Sequence, residues 1–163
     1  MLRAVALSLA VVLLAITVGR ASQSWPRDAH LGYAEGIWLG LAVDASNGVL
    51  YRPLDGPQGI GGSRYFPLFY LAIATGITVG FAPVAAGYMM ATASVAMLLA
   101  GIFIFLRRLG VDVVLSLVAA AVALSCQPLQ MAVLATRGDA LAAGLAMIAL
   151  GDGPVFHNSC TGA

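Results

Sequence analysis

The 163-residue chain is 61% apolar and 9% charged, with a mean hydropathy of +0.95, whereas a soluble domain is about half apolar and a quarter charged. Its net charge of +1 offers no basic field for nucleic acid, and Cys126 and Cys160 form neither a metal-ligand spacing nor a disulfide framework. These values exclude a soluble enzyme, a nucleic-acid binder and a zinc module, and point to an all-α integral membrane protein with about three to five membrane helices.

The first element is an apolar run over residues 2–19, flanked by Arg3 and Arg20. It reads as an uncleaved anchor, with a signal peptide cut near Ala21 or Ser22 as the alternative. Residues 20–65 then form a polar, aromatic-rich first loop. Within it, His30–Ser46 carries Leu31, Ala34, Trp38, Leu41 and Ala45 at spacings of three and four, which predicts a short amphipathic helix on the membrane surface. Asn47-Gly48 is its stop. The Gly-rich segment from Asp55 to Arg64 is a connector, since it has neither the Lys nor the strand-to-helix setting of a phosphate loop.

Residues 66–106 contain no ionisable Asp, Glu, Lys, Arg or His. The segment 66–82, broken by Gly and ended by Pro83, is expected to be a juxtamembrane or re-entrant helix, and 85–106 to cross. A further span covers 111–127, ending near Pro128, with Cys126 as a small buried apolar residue. Residues 128–139 form a second outside loop, and 140–150 begin a helix too short to cross. Arg3, Arg107 and Arg108 place the N-terminus and the turn at residues 107–110 in the cytoplasm, and the first loop outside, in a multi-pass protein of the cell membrane.

Three short motifs follow one another in the first loop: Gly32-Tyr33-Ala34-Glu35-Gly36, Leu50-Tyr51-Arg52 and Phe66-Pro67-Leu68. Arg137-Gly138-Asp139-Ala140-Leu141 follows in the second. In order and spacing they resemble the outside loops of GT-C glycosyltransferases, polytopic enzymes that use lipid-linked sugars, and in particular the bacterial family-39-like and family-87-like members. The resemblance runs from about Leu2 to Leu150 and implies transfer of a sugar from a polyprenyl-phosphate-linked donor, held in membrane lipid, to an acceptor on the outer face.

It further implies a first-loop carboxylate acting as general base. Glu35 ranks first and Asp28 second. Many relatives have Asp where this chain has Gly32, so Glu35 is the only carboxylate of the motif proper. Asp139 is the third candidate, because an acid between apolar runs is costly unless paired or functional; its bland role is a helix N-cap. Arg52, Arg64 and Arg137 are the candidate phosphate holders. Tyr65, with Trp25, Tyr33 and Trp38, is either an interfacial anchor or a surface for sugar stacking. No cofactor is implied, although Glu35 and Asp139 could share a divalent cation.

Because the helical pattern stops at Gly151-Asp152-Gly153-Pro154, the chain reads as the N-terminal part of such an enzyme, truncated or frame-shifted and inactive alone. The competing reading is a non-catalytic small integral membrane protein or assembly subunit. A transporter is disfavoured, since no ionisable group lies within a predicted span and no inverted repeat is evident.

Overall fold

The computed structural model describes residues 2–25, 32–53, 55 and 67–152. These form seven helices and no strand: α1 (Leu2–Ser24), α2 (Tyr33–Ser46), α3 (Leu68–Thr78), α4 (Pro83–Arg108), α5 (Val113–Ala123), α6 (Gln127–Leu134) and α7 (Asp139–Asp152). Two of them are long and apolar enough to cross a membrane, α1 over Ala4–Gln23 and α4 over Pro83–Arg108. A third crossing would need α5 and α6 to act as one span, and these two helices are bent by 71° at their junction.

Local chemistry sets the helix ends. Pro83 opens α4, where its missing N–H costs nothing. Arg107 and Arg108 close it, matching the negative end of the helix dipole. The chain then turns at Gly110 (φ +81°) and starts α5 at Asp112, whose carboxylate accepts the Val114 N–H at 3.1 Å. Gly48 (φ +84°) ends α2 as its Asn-Gly pair predicts.

Helix α4 is the spine. It packs most extensively on α7 and also touches α2, α3, α5 and α6, whereas α1 rests on α5 and α6. One buried cluster joins Ala21, Val95, Leu98, Leu124, Val133 and Ala140. The other joins Leu41, Ala42, Phe69, Tyr70, Ile73 and Leu141. The remaining surface of α1 is a nearly continuous apolar face, with Val5, Leu9, Val11, Val12 and Val18 exposed. A face of that size is suited to hydrocarbon or to other helices.

Several expected bounds shift. The first helix runs on to Ser24, so Arg20 lies inside it and donates to Gln130 Oε1 at 2.9 Å instead of opening a loop. The outside loop expected at 128–139 is mostly α6, because Pro128 stands in the first turn of a new helix and does not merely end the old one. Cys126 is exposed at the α5–α6 break, not buried. Helix α3, within 66–82, has eleven residues, too few to cross.

Candidate functional site

The site is built where the start of α2 meets the turn between α6 and α7. Gly32 caps α2 in extended conformation, and its N–H donates to Glu35 Oε2 at 3.0 Å. This is the carboxylate half of a capping box. The other carboxylate oxygen, Oε1, accepts Nε–H of Arg137 at 3.0 Å across a separation of 102 residues. The Glu35 side chain is only 5% exposed, while that of Arg137 is 43% exposed. Glu35 therefore lies behind the arginine and not on the surface.

Burial alone pushes the Glu35 carboxyl up. The hydrogen bonds from its own backbone, from Arg137 and from Gly32 outweigh that effect and hold it below its ordinary value of 4.5.

Two glycines admit the Arg137 turn. A Cβ on Gly87 of α4 would stand 2.6 Å from Thr136 Cγ2, and a Cβ on Gly138 would stand 3.1 Å from the Phe69 ring. Thr136 is fully buried in this seat, and its Oγ1 has no hydrogen-bond partner among the described residues. Beside the turn runs a groove of about 310 Å³, walled by Trp38, Leu68, Phe69 and Leu145, with Asp139 at its edge. Trp38 and Phe69 meet edge to face, their centroids 5.5 Å apart. Leu68 and Leu145 are 44% and 42% exposed, so the groove opens along an apolar lip.

Asp139 is exposed in the first turn of α7. Its side chain makes no hydrogen bond or ion pair to another described residue. Arg137 reaches Glu35 through Nε, and its two terminal guanidinium nitrogens make no hydrogen bond to another described residue.

The other predicted groups are placed elsewhere. Arg52 pairs with Asp44 in the last turn of α2, and that contact raises its pKa. At 1.5 Å per residue, Glu35 and Asp44 are about 14 Å apart along the helix, so Arg52 is not brought to Arg137. The neighbouring Tyr51 hydrogen-bonds Tyr70, whose hydroxyl also donates to the Leu50 carbonyl at 3.5 Å. Burial first, then Tyr51, pushes the Tyr70 phenol up to about 12. Asp28, Arg64 and Tyr65 lie outside the described residues.

Among the described residues no three His, Cys, Asp or Glu side chains come together as a metal site. Two further clefts, of about 420 and 370 Å³, lie between α1 and α4, are lined almost wholly by apolar atoms and hold no titratable side chain.

Sequence reasoning singled out Glu35, Arg137 and Asp139 but missed the groove walls. Trp38 reads as an interfacial anchor or a stacking surface, Phe69 falls within the uncharged 66–82 segment, and Gly87 and Gly138 carried no signal apart from their small size within apolar surroundings.

The class defined here is an all-helical protein with two helices apt for a membrane and an ion-paired polar site at one helix junction. Comparison with protein-family models, curated proteins and solved structures finds no match for the chain.

Proposed function

We propose that this chain serves a membrane glycosyltransferase of GT-C type, transferring a sugar from a polyprenyl-phosphate-linked donor to an acceptor hydroxyl at the outer face of the cell membrane, with its own N-terminus cytoplasmic. One observation carries the reading. The two segments that resemble the family's first and second outside loops meet through Glu35 and Arg137, beside an apolar groove edged by Asp139.

In this reading the isoprenoid part of the donor lies along Leu68, Phe69 and Leu145. The donor phosphate is held by the terminal nitrogens of Arg137, whose fork suits oxyanions. A carboxylate takes the acceptor's proton as the acceptor oxygen bonds to the anomeric carbon. The bond from that carbon to the phosphate oxygen breaks, and its electron pair leaves on the lipid phosphate, where Arg137 offsets the charge.

The test is photo-crosslinking of the detergent-purified protein with a benzophenone-bearing polyprenyl phosphate. Label is expected on peptides containing Leu68–Tyr70 and Asp139–Leu145, and excess farnesyl phosphate should suppress it. Suppression by farnesol to the same extent, or label confined to α1, overturns the reading.

A further inference from the structure

Resting on that reading, we infer that the two carboxylates of the site differ in kind: Glu35 is a positioning residue that fixes the Arg137 guanidinium from behind, and Asp139 is the carboxylate that faces the ligand. Geometry separates them. Glu35 is 4% exposed and has both oxygens engaged, one by the Gly32 N–H and one by Arg137 Nε–H, each at 3.0 Å. With each oxygen already accepting one hydrogen bond and the residue buried, this carboxylate is closed off from an incoming hydroxyl. Asp139 is exposed, has no partner among the described residues and lines the groove.

The bond to Nε matters because of which donors it leaves. A carboxylate pairing end-on with the two terminal nitrogens would consume the fork that recognises phosphate. Pairing at Nε holds the guanidinium plane and leaves both terminal nitrogens uncommitted. Arg137 stands on a nonhelical turn, and Glu35 ties its guanidinium to the first turn of α2. The low pKa of Glu35 keeps it ionised in this role at neutral pH.

The two roles predict opposite signs for ligand binding. Removing the charge of a carboxylate that faces a phosphate relieves repulsion and tightens binding. Removing one that braces the arginine loosens it.

The experiment measures farnesyl phosphate and farnesol binding to the full chain in detergent at pH 7 by titration calorimetry. Arg137→Ala and Glu35→Gln are each expected to weaken farnesyl phosphate binding about tenfold, the scale of one charged hydrogen bond, while farnesol binding stays within about twofold. Asp139→Asn is expected to leave phosphate binding unchanged or tighter. A merely structural Glu35 would lower both ligands together, and that result overturns the inference. So does tighter phosphate binding by Glu35→Gln, or loss of it in Asp139→Asn. If Glu35→Gln unfolds, Glu35→Asp provides the same comparison: with the charge kept but withdrawn by one methylene, weaker phosphate binding with farnesol unchanged supports the role, and unchanged phosphate binding overturns it. Failure of the wild-type chain to distinguish farnesyl phosphate from farnesol instead overturns the transferase reading beneath both assignments.

Discussion

Gly144 of α7 lies directly against the backbone of Leu98 in α4: a Cβ built on it would stand 2.9 Å from the Leu98 nitrogen and 3.1 Å from its Cα. Gly101 repeats the arrangement on the other helix, its own Cβ position lying 3.2 Å from the Gly144 carbonyl oxygen. Small residues let helix backbones approach where lipid supplies no hydrophobic drive between helices, and here they seat α7, with Asp139 at its head, on the spine.

Gly144→Leu is therefore expected to lower stability by about 1–3 kcal/mol, the usual cost of overpacking. Gly40→Ala in α2, where nothing lies within 4 Å of the new Cβ, is expected to be neutral or to stabilise by up to about 1 kcal/mol. Thermal unfolding in detergent reads both, and equal effects would contradict the close α4–α7 approach.

The Glu35–Arg137 pair predicts a double-mutant cycle with Glu35→Gln and Arg137→Met. The coupling is expected at about 1–2 kcal/mol, because solvent around the 43%-exposed arginine screens the pair below the value of a fully buried one. A coupling near zero would show that the two side chains do not share a contact.

Acid sensitivity follows from the same carboxylate. Its folded pKa is depressed, so its contribution to stability is fully present above 4.5 and is lost as pH falls through the lower folded value. Glu35→Gln should flatten the stability–pH curve below 4.5. An unchanged acid limb in this variant would refute the assignment.

Gly32→Asp adds an acid beside Glu35, and its Cβ would come 2.9 Å from Glu35 Oε2. The new carboxylate, one bond beyond that Cβ, is a like charge near Glu35 and raises a carboxyl pKa, so the acid limb is expected to move to higher pH. Gly32→Ala gives the steric cost alone. If both variants titrate alike, the added charge is not meeting Glu35.

Tyr70 works at the alkaline end. Its folded pKa is raised to about 12 from 10.0, so its contribution is fully present below pH 10 and is lost as pH rises through about 12. Tyr70→Phe should remove that limb. Ultraviolet titration of wild type should show one tyrosine ionising late, and its absence would contradict the burial of Tyr70 and its contact with Tyr51.

Much of the helical order was legible because apolar length and punctuation are local properties. Pro83, Asn47-Gly48 and Arg107-Arg108 mark ends that the structure places within a few residues. Pro128 misled, because proline signals an end and a start alike, and only the packing of Val133 and Leu134 decides between them. The site was half legible. Glu35, Arg137 and Asp139 stand out as rare charges among apolar runs, but a partner 102 residues away leaves no trace in periodicity. Arg52 was read as a phosphate holder from the Leu50-Tyr51-Arg52 motif, whereas its pairing to Asp44 depends on how the chain doubles back after Gly48, which no spacing rule specifies.

The bend between α5 and α6 bears on where this site would lie in a bilayer. Eleven residues of α5 rise about 17 Å, and eight of α6, tilted away by 71°, add only about 4 Å along the same axis. Used as one crossing, the pair falls about 10 Å short of a hydrocarbon core about 30 Å thick. The membrane around it would thin, or the turn bearing Arg137 would sit at the floor of a water-filled depression. Either way, under the proposed transfer, a dissolved acceptor and a phosphate anchored in lipid would meet at a depth that neither reaches across a flat membrane surface.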